Sequence, residues 1–170
     1  MKNKSWLVII FILITVVIVT VAIIFAKKEQ EETYEYDTHT FNNINVKQAL
    51  LLFDKPDAFL LFIGRQNCEG CSQQGPYIIL SQVYHNFTVY HLDIDKVEYS
   101  DPDTYKLIQK LDYPYELYDK EGTFGSFFGY TPMVAIIKNG KQVYGNIGVL
   151  TDDEITTLVK TYGVKTNEEN

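Results

Sequence analysis

The chain has 170 residues, 46% of them hydrophobic, with 15 basic and 22 acidic side chains. One domain of ordinary size is expected at that length. The first 26 residues carry no acid and two lysines, Lys2 and Lys4, so the remaining 144 hold 13 basic and 22 acidic residues, a net charge of -9. That balance excludes a general nucleic-acid binder, which needs basic surface to displace counterions. Two cysteines cannot make a disulfide-dense scaffold or a four-cysteine zinc site. Gly and Pro are not enriched, which excludes a collagen-like or wholly disordered chain.

Residues 1–5 form a short N-terminal segment, followed by an apolar run of 21 residues from Trp6 to Ala26 in which only Thr15 and Thr20 are polar. At about 1.5 Å rise per residue such a run spans a hydrocarbon core of roughly 30 Å. Its Val and Ile excess disfavours helix in water, but in lipid the backbone has no other hydrogen-bond partner. A transmembrane anchor over 6–26 is the expectation. A cleaved signal peptide is the competing reading. Its apolar core is normally about 7–15 residues and ends at a small-x-small site. Ile24-Phe25-Ala26-Lys27-Lys28 offers no such site, and no cysteine lies near for lipid attachment. Lys2 and Lys4 on one side nearly balance Lys27 and Lys28 on the other, so the positive-inside count is close to a tie. Placement of the domain outside the cytoplasm rests on the cysteine chemistry below.

Residues 27–33 are a charged tether, and the domain is expected over 34–162, with 163–170 a polar tail. Tyr34 to Thr38 alternates large and polar side chains, a weak strand pattern. Asn45 to Phe53 predicts a short helix capped by Asn45. Asp57 to Gly64 is an apolar run closed by glycine, a buried strand. A helical stretch over Cys68 to Tyr84 is interrupted by Pro76. Phe87 to Ile94 and Pro132 to Ile137 predict two further strands. Asn139-Gly140 predicts a tight hairpin into Gln142-Val143-Tyr144. Thr151 and Glu154 have capping-box spacing and open a last helix. The order is strand, helix, strand, helix, strand, strand, helix. The first crossover implies parallel central strands and the hairpin an antiparallel edge, giving a mixed α/β sandwich.

Cys68-Glu69-Gly70-Cys71 follows a predicted buried strand and opens a predicted helix. A thiolate there faces unsatisfied N–H groups and the positive end of the helix dipole, which lowers its pKa. A second thiol three residues on is near enough to resolve a mixed disulfide. A structural disulfide is an alternative, but the loop it closes is too short to stabilise much. Half of a zinc site is another, but there is no second CxxC, and His39, His85 and His91 show no ligand spacing. No metal and no cofactor beyond the redox-active cysteine pair are expected.

With these residues in view, the sequence resembles the thioredoxin superfamily over roughly Asn45 to Tyr162. Pro76, five residues after Cys71, is similar to the family's helix-kinking proline. Tyr90-His91-Leu92-Asp93-Ile94-Asp95 resembles its second central strand. Thr131-Pro132 resembles its cis-proline pair, Lys138-Asn139-Gly140-Lys141 its hairpin, and Gly148-Val149-Leu150-Thr151 its approach to the last helix. Phe62-Ile63-Gly64-Arg65-Gln66-Asn67-Cys68 is similar to the "IGRxxCxxC" of the bacteriocin transport accessory proteins of Gram-positive bacteria. The resemblance implies a thioredoxin-like mixed central sheet flanked by helices, behind one transmembrane helix. It implies an exposed nucleophile at Cys68, a buried resolver at Cys71, and a cis Pro132 over the pair. The Thr131 backbone would then pair with an extended client segment. Glu69, Gly70 and Pro76 would modulate the site. The narrower likeness implies a Gram-positive cell envelope.

Three features depart from the family. Phe62 stands six residues before Cys68, where many thioredoxins carry a buried Asp that relays protons. Proton transfer to and from Cys71 is therefore expected to use water or another group. The charge of Glu69 opposes a thiolate at Cys68, and a middling or reducing potential is expected. Residues 97–130 form an insertion holding six Tyr and three Phe, which ends directly at Thr131-Pro132. Asp103 to Leu111 predicts a helix capped by Asp101 or Asp103. The aromatics read either as packing on the sheet or as a client-facing surface. The three histidines are expected on the surface or a strand face.

The leading function is a membrane-anchored, extracytoplasmic thiol–disulfide oxidoreductase acting on protein or peptide thiol and disulfide clients, bacteriocins among them. The upstream redox partner is left open, and no nucleic-acid partner is expected. The alternatives are a non-catalytic binding or chaperone module that assists secretion, and an electron-relay reductase serving another membrane protein.

Overall fold

The computed structural model describes residues 10, 13–21 and 35–165. The chain divides into two units, Met1–Thr33 and Tyr34–Asn170. In the first, residues 13–21 are helical. The Thr20 hydroxyl donates to the carbonyls of Val16 and Val17 at 2.8 and 3.0 Å. The segment 1–5, most of the flanks of the 6–26 span and the tether 27–33 lie outside the described residues. Among the described residues, no helix is long and apolar enough to cross a membrane.

The second unit is a five-stranded mixed sheet with helices on both faces. Its elements are β1 (Asn42–Ile44), α1 (Val46–Leu52), β2 (Phe59–Gly64), α2 (Glu69–His85), β3 (Val89–Asp93), α3 (Pro102–Lys110), β4 (Pro114–Leu117), β5 (Lys120–Thr123), β6 (Met133–Lys138), β7 (Lys141–Ile147) and α4 (Asp152–Tyr162). The sheet order is β1-β3-β2-β6-β7. β3 pairs in parallel with β1 and β2, and β6 runs antiparallel to both β2 and β7.

β2 is the centre and is buried throughout. Its side chains alternate between the faces, as a two-residue period demands. Leu60 and Phe62 point into a cluster with Ile78 of α2 and Ile155 and Val159 of α4. Phe59, Leu61 and Ile63 point into a second cluster with Ala49 and Leu52 of α1 and Leu107 of α3. Helices are thus needed on both sides to keep this strand dry.

Local rules set the boundaries. Asn45 caps α1 with a reciprocal Gln48 contact, and Thr151 with Glu154 does the same for α4. Asp101, not Asp103, caps α3. Asn139 and Gly140 have φ of 51° and 73°, the two left-handed residues of a tight hairpin turn.

Several sequence expectations are corrected. The stretch Tyr34 to Thr38 forms no strand over its described residues; the first strand is β1, three residues long. Tyr36 is buried, so its alternation with polar neighbours reflects one anchored ring rather than a ladder. Pro76 does not interrupt α2, which runs unbroken from Glu69 to His85. The polar tail does not begin at 163. Gly163 caps α4, Val164 is buried and bridges to Ala58, and Lys165 pairs with Asp57 at 3.0 Å.

His91 takes the second of its two expected placements, on a face of β3, and is 3% exposed. Its Nδ1 lies 2.7 Å from Asn43 Oδ1 and its Nε2 lies 2.8 Å from the Tyr36 hydroxyl. Asn43 Nδ2 donates to the Thr38 carbonyl at 3.1 Å, which leaves Oδ1 to face the imidazole. The ring therefore donates from Nδ1 and accepts the Tyr36 proton at Nε2, as a neutral imidazole does. Burial pushes its pKa down to about 4, against a smaller opposing pull from Asp93. The rings of Phe62, Tyr36 and Phe41 enclose it.

Candidate active site

β2 ends at Gly64, and three residues carry the chain to Cys68. Asn67 has φ of 55°, the left-handed conformation that asparagine tolerates best among residues with a side chain. The chain then re-enters extended geometry at Cys68, φ -120° and ψ 111°, which makes it the N-cap of α2. Its Sγ accepts the Cys71 N–H at 3.1 Å. A sulfur thus occupies the place where a serine or aspartate oxygen usually satisfies a helix N-terminus. Any negative charge on it is stabilised by that N–H and by the dipole behind it.

Cys68 and Cys71 are joined as a disulfide, with their Cα atoms 5.2 Å apart. Cys71 is fully buried against the α2 face of the sheet, whereas Cys68 is partly exposed. One sulfur is open to a visiting molecule and the other is shielded from it. Between them, Gly70 lies under Pro132: a Cβ there would meet Pro132 Cδ at 2.7 Å and Val149 Cγ2 at 3.8 Å. The Thr131–Pro132 bond is cis. The Pro132 carbonyl accepts the Gly148 N–H at 2.9 Å, which ties this loop to the one before α4. Gln74, fully buried one turn after Cys71, holds that second loop by accepting from Leu150 N–H at 2.7 Å and donating to its carbonyl at 3.1 Å.

The expected site residues are therefore distributed as follows. Cys68, Gly70, Cys71, Thr131 and Pro132 converge on one spot. Glu69 is exposed at the first turn of α2, beside the sulfur but facing solvent. Pro76 is exposed further along the helix. Phe62, at the position of the absent carboxylate, is fully buried among aromatic rings.

Sequence reasoning missed Arg65. It lies in the turn between β2 and α2, half-buried. Its Nε donates to Thr131 Oγ1 at 3.2 Å, and its Nη2 donates to the Gly129 carbonyl at 2.7 Å. The Thr131 hydroxyl in turn donates to Cys68 Sγ at 3.3 Å. The hint in the sequence was that Arg65 stands inside the motif that precedes Cys68.

The insertion divides between the two readings of its aromatics. Phe124 and Phe127 are buried, with Tyr115 packed on both and its hydroxyl accepting the Ile147 N–H at 2.9 Å. Tyr99, Tyr105, Tyr118 and Tyr130 are exposed. Of these, Tyr130 adjoins Thr131, and Tyr99 stacks edge-on against Phe128 in the same loop. Among the described residues, no group of three His, Cys, Asp or Glu side chains is placed to hold a metal ion.

No protein-family model and no curated protein matches the chain by sequence. Solved structures do. A point-mutant thioredoxin from Halobacterium salinarum superposes with a TM-score of 0.50 at 14% identity, over 73% of this chain and 92% of the other. A thioredoxin from Plasmodium falciparum is similar at 15% identity and a TM-score of 0.48, over 71% of this chain and 98% of the other. With the strand order above and the first of these superpositions, the domain has the thioredoxin fold, a mixed central sheet flanked by helices, with its cysteine pair joined at the start of a helix.

Proposed function

We propose that this protein is a membrane-anchored, extracytoplasmic thiol–disulfide oxidoreductase whose clients are secreted proteins or peptides, bacteriocins included. The observation that carries the reading is the asymmetric pair: a part-exposed Cys68 sulfur at a helix N-cap, bonded to a buried Cys71. In the reducing direction, the Cys68 thiolate attacks a client disulfide. A mixed disulfide forms, and one client thiolate leaves and takes a proton from water. Cys71, having given its proton to water, attacks the Cys68 sulfur and releases the second client thiolate. The client gains two electrons and two protons, and the pair becomes a disulfide that a dithiol donor must reduce again. In the oxidising direction, each step runs in reverse.

The anchor reading is supported by the apolar run 6–26 and by the exposed apolar side chains of Leu13, Ile14 and Val16 to Val19. The Thr20 hydroxyl is satisfied within its own helix, as lipid requires. An extracellular or envelope location suits clients that carry disulfides.

The test is a coupled insulin-reduction assay on the detergent-solubilised full chain, paired with membrane fractionation. Wild type is expected to turn over, Cys68→Ser to fall to the uncatalysed rate, and the chain to stay in carbonate-washed membranes. Turnover by Cys68→Ser equal to wild type would refute catalysis, and release by carbonate would refute the anchor.

A further inference from the structure

Among the charged groups around the sulfur, Glu69 on α2 opposes a thiolate and is exposed. The dipole of α2 favours one, but it serves any residue at that N-cap. The loop opposite supplies something more particular. Cys68 Sγ has three polar contacts: the Cys71 N–H at 3.1 Å, the Thr131 hydroxyl at 3.3 Å and the Thr131 carbonyl at 3.6 Å. The carbonyl suits a protonated thiol, and the two donors suit a thiolate. Thr131 thus faces the sulfur with groups of opposite preference.

A free threonine hydroxyl turns toward whichever acceptor is nearest. Here it does not turn freely. Arg65 Nε donates to the same oxygen at 3.2 Å, which occupies a lone pair and leaves the hydroxyl proton for the sulfur. Arg65 Nη2 holds the Gly129 carbonyl at 2.7 Å, so the guanidinium is fixed at two points of the 129–131 loop. A lysine offers a point charge rather than this planar fork. A cation donating to the hydroxyl also polarises its O–H bond, since linked hydrogen bonds strengthen one another. The legs of 3.2 and 3.3 Å place the Thr131 hydroxyl between the guanidinium and the sulfur, so the effect of the cation passes through that hydroxyl.

We infer that Arg65 is a positioning residue that aims the Thr131 hydroxyl at Cys68 and, through it, holds this sulfur as a thiolate at neutral pH. The inference rests on Cys68 being the attacking sulfur. The contact offsets the opposing charge of Glu69, and it links the motif before the cysteines to the loop across the site.

The test uses the reduced full chain in detergent and follows the pH dependence of Cys68 alkylation by iodoacetamide, read by mass spectrometry. Arg65→Gln and Thr131→Val are each expected to raise the Cys68 pKa by about one unit. The double variant is expected to match the larger single effect, because both changes cut one chain of contacts. Arg65→Lys should restore part of the shift. With its thiolate less stabilised, the reduced pair should have a potential lower by up to about 30 mV, the equivalent of a tenfold change. A purely structural Arg65 would leave the thiol titration in place. Titration of Arg65→Gln within about a third of a unit of wild type would overturn the inference. So would fully additive shifts in the double variant. Thr131→Val keeps the side-chain shape, so it remains informative should Arg65→Gln fold poorly. The insulin assay on wild type separates the two levels: an inactive wild type whose Cys68 pKa still depends on Arg65 contradicts the enzyme reading and supports this one.

Discussion

The smallest residue at the site carries the tightest constraint. Gly70 lets Pro132 descend onto the cysteine turn, and any Cβ would sit 2.7 Å from the proline ring. Gly70→Val is expected to cost about 1–3 kcal/mol by overpacking and to slow exchange by displacing the loop. Urea unfolding of the oxidised form, beside the insulin assay, measures both. Unchanged stability together with unchanged turnover would mean that Pro132 does not rest there. His91 allows a second prediction at this scale. Its pKa is about 4 when folded and about 6.5 when unfolded, so between those values the unfolded chain binds a proton that the folded chain refuses. Its contribution is intact above about pH 6.5, falls as pH drops, and is fully lost below about pH 4, up to about 3 kcal/mol. His91→Gln should therefore show a smaller loss of stability between neutral and acid pH than wild type does. An equal loss in both would show that His91 is not held neutral in the folded state.

Elements differ in how plainly the sequence announces them, and the difference has physical causes. β2, β6, the helix caps and the Asn139-Gly140 turn follow from short-range chemistry and are legible directly. β1 is three residues with no pattern of its own; it exists because β3 offers an edge. The β4–β5 hairpin turns at Tyr118 and Asp119, both at positive φ, where no glycine or asparagine announces a turn. Val164 reaches the core only because α4 ends beside Ala58. At the site, Cys68 and Cys71 declare themselves by spacing and placement. Arg65 does not, because its partners Gly129 and Thr131 lie 64 and 66 residues away. The insertion likewise packs on itself through a contact that the sequence does not display. A Cβ on Gly125 would run into the backbone carbonyl of Ile108 in α3, and the Gly125 N–H donates to the Leu111 carbonyl at 2.7 Å. Gly125→Ala is expected to lower stability by about 1–3 kcal/mol. Thermal unfolding of the variant measures this, and a melting temperature equal to wild type would mean that the 124–127 turn does not pack on α3 in this way.

At the scale of the whole molecule, a rigid sheet buried on both faces holds two loops against one helix N-terminus. The domain core is closed, so chemistry is confined to the rim, where a part-exposed sulfur, a proline and the threonine before it meet. The net charge of -9 beyond the first 26 residues sets up a negative field around the domain. The central claim is that Cys68 attacks and Cys71 resolves. It is tested most directly by incubating the reduced Cys71→Ser chain with a disulfide-bonded peptide and mapping the product by mass spectrometry. The account predicts a stable peptide adduct on Cys68 that wild type does not accumulate. No adduct, from a folded variant with an alkylatable Cys68, would contradict it.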